Sequence, residues 1–223
     1  MITFKNVTKK FGSKKVLNKV SFEITSKEFV FLIGPSGAGK TSIIRLAIRE
    51  FLPSAGKIFI DGEDLTKLPS SKISLLRRKV GVVFQDFKIL PDKTVIENVI
   101  VVREILGDGA KDALIKAEQT LEIVGLKSKK DFFPIQLSAG ELQRVCMARA
   151  IIGDPKILLA DEPTGNLDPA TGWELIKLLD KINKMGTTVL MATHNVDIVD
   201  SFKRRVITLE KGELIKDEKE GKY

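Results

Sequence analysis

The sequence is poor in cysteine. Cys146 is the only one in 223 residues, so no intrachain disulfide can form and a disulfide-stapled secreted scaffold is excluded. Flanked by Val145, Met147 and Ala148, it reads as core and not as a reactive thiol. Long apolar runs are also missing. Stretches such as Phe29–Ile33 and Val99–Val102 fall far short of the roughly 20 residues that cross a bilayer. A role at a membrane would therefore need another chain to hold this one there. With no signal-peptide pattern, the expected location is the cytoplasm. Gly/Ser/Pro-rich linkers, internal repeats and low-complexity tracts are absent, so a single unit is expected. Acidic residues are outnumbered, 29 against 37 Lys plus Arg, for a net charge of +8. Such a balance suits an acidic partner such as phosphate, nucleic acid or an anionic membrane face. The clusters Lys9–Lys10, Lys14–Lys15, Arg77–Lys79, Lys127–Lys130 and Lys203–Arg205 are scattered, however, with no interleaved aromatics, so most of this charge is read as solvation. The remaining composition, 43% hydrophobic and 30% charged, is that of a globular chain long enough for one α/β domain and short for two.

Two kinds of strand are expected. Ile2, Phe4 and Val7, then Val20, Phe22 and Ile24, alternate with polar residues as half-buried strands do. Lys57–Ile60 with the turn Asp61–Gly62 extends this antiparallel layer. Phe29–Ile33, Val80–Phe84, Ile157–Ala160 and Thr188–Ala192 are almost wholly apolar and fit strands covered on both faces of a parallel sheet. Helical stripes lie between them: Leu114, Ala117, Leu121 and Val124, then Leu175, Leu178, Ile182 and Met185. From Pro91 to Ile152 the patterns are helical with no strand, which predicts a helical insertion. The last stretch, Val206–Ile215, resembles a hairpin, and a charged tail expected to fray follows it. Together these imply a wound α/β core.

Gly34-Pro35-Ser36-Gly37-Ala38-Gly39-Lys40-Thr41 fits G-x-x-x-x-G-K-[ST], between a strand and the helical run Ser42–Ile48. Glycines let consecutive N–H groups turn toward an anion, and the helix start adds its positive dipole end. Background residue usage gives about a 1% chance of one such match at this length. The pattern predicts that Lys40 reaches the β- and γ-phosphates and that Thr41 binds Mg²⁺. Ile157–Ala160 ends in Asp161 and Glu162, at the strand end where α/β sheets take ligands. Asp161 is a candidate Mg²⁺ ligand. Glu162 is a candidate general base for water. His194, the only histidine, follows another buried strand and is read as a donor to the γ-phosphate or an orienter of the water. Gln85, at the end of Val80–Phe84, is a weaker candidate for Mg²⁺ or water. Ser138 and Glu141 form an S-x-x-E capping box, which starts a helix without any ligand. A serine-and-glycine helix start is also an anion site, though. With one triphosphate already cradled by the chain's own loop, a second such site implies closure on another chain's nucleotide.

In this order the elements resemble the ATP-binding cassette (ABC) ATPases, over essentially the whole chain. Phe11 stands where the family has an aromatic that stacks on adenine. Gly34–Thr41 is the Walker A loop, with Ser42 beside it. Gln85 is the Q-loop glutamine, Leu137–Glu141 the signature, Ile157–Glu162 Walker B, Asn166–Asp168 the D-loop, and His194 the switch histidine. The resemblance implies a P-loop NTPase of ABC type. Its expected form is a mainly parallel core sheet, an N-terminal antiparallel β layer and an inserted helical subdomain. The expected division is a core of residues 1–90 and 153–223 and a subdomain of residues 91–152 carrying the signature. It further implies an ATPase using ATP and Mg²⁺, with Ser138, Gly140, Glu141 and Asp168 completing the nucleotide site of a second copy in a head-to-tail dimer. Two positions depart from the family. Ala139 replaces the first glycine of the usual Leu-Ser-Gly-Gly-Gln, which a negative φ tolerates. Phe11 replaces tyrosine and keeps the stacking ring.

Ala160–Asp168 and Phe84–Leu90 resemble the branch that includes lipoprotein-releasing, macrolide-exporter and cell-division ATPases. Trp173–Glu174, Gly186–Asn195, Arg204–Val206 and the ending Lys216–Tyr223 resemble its cell-division members most. That implies an integral membrane partner, an indirect link to cell-wall hydrolases and a peripheral place on the inner membrane face. Phe87, Ile89 and Leu90 are the candidate partner contacts. The stripe Val95, Val99, Val102 and Leu106, widened by Ile96 and Ile100, is read mainly as internal packing. The same chemistry would serve a lipoprotein, peptide or drug transporter. A nucleic-acid-linked cassette is disfavoured by the single cassette and scattered basic charge, and a sensor without turnover by Glu162 and His194.

Overall fold

A computed structural model describes residues 1–221; Lys222 and Tyr223, the end of the expected tail, lie outside them. Along the chain, β1 (Ile2–Phe11) and β2 (Lys14–Ile24) form a hairpin, and β3 (Phe29–Ile33) leads into α1 (Lys40–Ala47). Next come β4 (Ala55–Ile60), the short β5 (Glu63–Asp64), α2 (Ile73–Arg78) and β6 (Val80–Val83). Three helices without an intervening strand follow: α3 (Val95–Leu106), α4 (Ala110–Ile123) and α5 (Ala139–Ile151). The chain closes with β7 (Ile157–Asp161), α6 (Pro169–Lys184), β8 (Thr188–Ala192), α7 (Val196–Phe202), β9 (Arg205–Glu210) and β10 (Glu213–Glu218).

The strands make two sheets. One is antiparallel with order β2-β1-β4-β5; the other has order β10-β9-β3-β8-β7-β6. In the second, every pairing is parallel except β9 with β10. The runs Phe29–Ile33, Ile157–Ala160 and Val189–Ala192 are apolar throughout because both faces are covered. Val30, Leu32, Ile157, Leu159, Leu190 and Ala192 join a core with α1 and the antiparallel layer. Their neighbours Phe29, Phe31, Ile33, Leu158, Ala160, Val189 and Met191 join a second core with the helices beyond. This two-fold alternation with no polar face is what a doubly covered sheet requires. Because β3, β8, β7 and β6 run the same way, their carboxyl ends, and the segments after them, share one edge.

Three expectations need correction. In α6 the buried positions are Gly172, Leu175, Ile176, Leu179, Ile182 and Asn183, while Met185 is the exposed C-cap. In α4, Ala113 and Thr120 face inward with Ala117 and Leu121, and Leu114 faces out. Both helices are rotated from the expected stripe because the buried face includes small and polar residues. The charged tail does not fray at Lys216–Glu218. There β10 pairs with β9, and Asp217 accepts from Arg205 Nε and Nη2 at 2.8 Å each, while Arg205 Nη1 reaches Glu28 at 2.8 Å.

On α3 the sequence stripe concealed a polar residue. Asn98 is fully buried; its amide nitrogen donates to the carbonyls of Leu90, Lys93 and Thr94, and its Oδ1 accepts from Leu90 N–H at 2.9 Å. It fastens the end of the 85–91 segment to the helix. Asn98→Ala leaves those groups without partners and is expected to cost about 2–3 kcal/mol. At this size that is roughly 4–12 °C in Tm by thermal denaturation; an unchanged Tm would refute the fastening role.

Candidate functional site

The segment after β3 folds back over the start of α1. Gly34 has φ 143° and Gly39, the N-cap of α1, has φ 108°. A Cβ at Gly34 would collide with the Leu209 carbonyl oxygen, and one at Gly39 with the Leu17 side chain, so both positions require glycine. No side chain caps α1, which leaves its first N–H groups available to an anion.

Lys40 is buried and turned inward. Its Nζ donates to the carbonyls of Gly34 at 2.7 Å and Pro35 at 3.3 Å, and lies 3.3 Å from Glu162 Oε1. The other Glu162 oxygen lies 2.7 Å from His194 Nδ1. Glu162 is thus held between Lys40 and His194, at the adjacent ends of β7 and β8. It sits at φ 49°, a left-handed conformation that costs energy in a non-glycine residue and is found where a site over-determines it. Beside it, the Thr41 hydroxyl donates to Asp161 Oδ1 at 3.2 Å. Burial pushes the Asp161 carboxyl up from its ordinary value, against the Thr41 hydrogen bond. A hydroxyl, a buried carboxylate and the nearby Gln85 amide are hard oxygen donors of the kind Mg²⁺ takes together with phosphate. A cavity of about 740 Å³ opens over these groups, lined by Ser36–Ser42, Gln85, Glu162 and His194.

The expected residues divide into two sets. Ser36, Gly37, Ala38, Gly39, Lys40, Thr41, Ser42, Gln85, Glu162 and His194 meet at the cavity, with Gly34, Pro35 and Asp161 bonded to its lining. Phe11, Ser138, Gly140, Glu141 and Asp168 are not in the lining. The Phe11 ring is 47% exposed, packed edge-on against Phe51 with Lys9 over it. Phe11 pairs with Lys14 across the hairpin turn, and Lys14, Lys15 and Val16 do line the cavity. Ser138 caps α5, its Oγ accepting from Glu141 N–H at 3.3 Å, and Gly140 abuts Thr171 so closely that a Cβ would collide with it. Asp168 caps α6 by accepting from Thr171 N–H at 3.0 Å.

Lys14, Lys15, Val16 and Lys211 are the lining residues that sequence reasoning assigned to solvation or passed over. The basic pair close after Phe11 was the available signal; nothing near Lys211 in sequence points to the cavity.

The capping box at Ser138 carries a pH prediction. Lys129, bonded to Glu141 at 2.5 Å, and then the Ser138 N–H hold the Glu141 carboxyl below the usual glutamate range. A lowered folded value adds stability above the unfolded value, which is lost as pH falls through the folded one. Glu141→Gln is therefore expected to be roughly 0.5–1 kcal/mol less stable at neutral pH. The gap should close as wild type is acidified below about pH 4, read from denaturation midpoints; a gap independent of pH would exclude the charged cap.

The chain is similar to known proteins over most of its length. The family model described as ABC transporter matches residues 17–165. The chain is 48% identical over 224 residues to the cell division ATP-binding protein FtsE of Bacillus subtilis (strain 168), covering 100% of this chain and 98% of that protein. It is 43% identical over 215 residues to the FtsE of Escherichia coli (strain K12), covering 96% and 97% respectively. Among solved structures, the ATP-binding cassette MJ0796, a dimer in a post-hydrolysis state bound to ADP and Pi, matches with TM-score 0.89 and 34% identity over 100% of both chains.

Proposed function

Since this chain belongs to the ABC transporter family of ATPases, we propose that it is the ATP-hydrolysing subunit of an FtsE-type complex. Two copies act together on a membrane partner resembling FtsX, at the inner face of the cell membrane, and through it on cell-wall hydrolases. The observation that carries the chemical part is the suspension of Glu162 between Lys40 and His194 at the mouth of the glycine loop. The Bacillus subtilis and Escherichia coli relatives, matched over nearly their whole length, carry the cell-division name, which favours this role over that of a lipoprotein or drug exporter.

The residues divide the work as follows. Triphosphate entering the loop meets its N–H groups and draws Lys40 from the Gly34 and Pro35 carbonyls toward the β- and γ-phosphates. Glu162, released from Lys40, takes a proton from the attacking water, whose oxygen bonds to the γ-phosphorus as the bond to the β–γ bridging oxygen breaks and ADP leaves. His194 keeps its hold on the second carboxylate oxygen and so fixes the direction from which that proton is taken. Thr41, Asp161 and Gln85 would hold Mg²⁺, which neutralises phosphate charge when bound. Ser138 and Gly140 of each copy close on the γ-phosphate in the other copy, with Glu141 and Asp168 behind them, and the Phe11 ring stacks on adenine. Hydrolysis and phosphate loss remove the charge that bridges the copies, so nucleotide biases a closed and an open arrangement.

Coupling to the partner is supported by a second cavity of about 730 Å³ between the sheet edge and the inserted helices. Its apolar lining includes Phe84, Phe87, Val102 and Leu106, next to the Gln85 segment. Cys146 belongs to this wall; burial pushes its thiol up to about 12, in keeping with a packing role. Ile89 packs inward with Phe87, and Leu90 stays exposed. Purification of the tagged chain from membranes should recover an FtsX-like protein that stimulates ATP turnover. Recovery of a solute permease with its substrate-binding protein, and no FtsX-like chain, would overturn the cell-division reading while leaving the ATPase reading intact.

A further inference from the structure

Two hairpin turns far apart in sequence meet at the cavity. One is the start of β2, which brings Lys14 and Lys15; the other is the β9–β10 turn, Lys211-Gly212, with φ 49° and 81°. The second turn is locked to the phosphate-binding loop. Gly212 N–H donates to the Ala38 carbonyl at 3.2 Å, and the Gly212 carbonyl accepts from Asn18 N–H at 2.8 Å. A Cβ at Gly212 would collide with the Val16 carbonyl oxygen, so the fit admits only glycine there. The Asn18 side chain joins the two hairpins further by donating to Glu213 Oε1 at 2.6 Å, while it accepts from Lys15 Nζ on its own strand at 3.2 Å.

The charge lining the cavity is mostly positive. Among the described residues, the cations lining the cavity are Lys14, Lys15, Lys40 and Lys211, against Glu162 as the one lining acid. Lys40 is turned inward. The other three are exposed, and Lys211, its side chain 90% exposed, approaches Glu210 loosely at 3.9 Å. Clustered positive charge beside a cavity draws in polyanions and raises their local concentration.

We propose that Lys14, Lys15 and Lys211 form a cationic collar that recognises the phosphate chain of the nucleotide and sets its affinity. The C-terminal hairpin is then part of the nucleotide site, held in register by Gly212. The proposal rests on the reading of this cavity as the ATP site, and it deepens that reading by naming how the polyanion is selected. The collar acts on charge, so its contribution grows from adenosine to ADP to ATP and falls with salt.

Calorimetric titration of the purified chain with ATP, ADP and adenosine, in Mg²⁺, tests this. An exposed cation–anion contact is worth about two- to fivefold in affinity. Lys14→Ala/Lys15→Ala/Lys211→Ala is therefore expected to weaken ATP binding about tenfold or more at about 0.1 M salt, and ADP less. Adenosine binding should not change. The ATP loss should shrink toward about 1 M salt, as the Debye length falls from about 10 to about 3 Å. Lys211→Glu alone should exceed the loss given by Lys211→Ala. A control with the same charge change away from the cavity, Lys57→Ala/Lys67→Ala/Lys72→Ala, should lose less than twofold. ATP affinity within twofold of wild type in the collar variant, or an equal loss in the control, would overturn the collar. Failure of the nucleotide reading itself would look different: wild type would not bind ATP, or Lys40→Ala would bind it as well as wild type.

Discussion

Glu162→Gln is expected to reduce ATP turnover by at least about 10²-fold, the share a general base supplies, while ATP remains bound. The amide is isosteric and its oxygen can still accept from His194 Nδ1, now 2.7 Å from the carboxylate. It has no basic lone pair for the proton of water. The substitution also removes the attraction on Lys40 Nζ, 3.3 Å away, so the ammonium is freer to meet phosphate. Single-turnover hydrolysis, measured alongside nucleotide binding, separates the two effects. Turnover at the wild-type rate would remove Glu162 from the role of base. Loss of binding together with turnover would make it a structural residue.

Lys40→Ala acts on the other end of the same contact. A charge-assisted hydrogen bond from a buried ammonium is worth about 1.5–3 kcal/mol, which at 1.4 kcal/mol per decade is about 10- to 100-fold in ATP affinity. The change also leaves the Gly34 and Pro35 carbonyls without their donor and Glu162 without its cation. The variant should therefore lose the stabilisation that Mg-ATP gives wild type in thermal denaturation, since that stabilisation follows ligand concentration over Kd. Undiminished stabilisation by ATP would show that the nucleotide binds elsewhere.

The parts of this molecule visible in sequence are those whose physics is local or periodic. Phe29–Ile33 and Ile157–Ala160 declare themselves because a strand covered on both faces can carry no polar residue. The glycine loop declares itself because only glycine accepts the backbone at Gly34 and Gly39. The tertiary approaches are what local patterns miss. Lys211 reaches the cavity only because Gly212 bonds to Ala38. Lys14 and Lys15 resemble any exposed basic pair until the β1–β2 hairpin is laid beside the loop. Asn98 is polar in an apolar stripe because it serves the carbonyls of Leu90, Lys93 and Thr94. The same limit applies to helix rotation: with Ile176 and Leu179 as apolar as Leu178, the stripe on α6 cannot be chosen without knowing what packs against it. Ser138 and Gly140 are the extreme case, since the role assigned to them needs a second copy of the chain.

That pairing is the most exposed part of the account. Equal amounts of Glu162→Gln chains carrying Ser36→Cys and Glu162→Gln chains carrying Ser138→Cys can be mixed and oxidised mildly. Native Cys146, buried and with its thiol pushed up to about 12, does not compete. A disulfide requires Cα atoms within about 7 Å, so it forms only if the signature helix of one copy closes over the phosphate loop of the other. The account predicts covalent dimers with Mg-ATP and almost none without nucleotide. Chains that bind Mg-ATP and yet stay monomeric, or that cross-link equally without it, would contradict it.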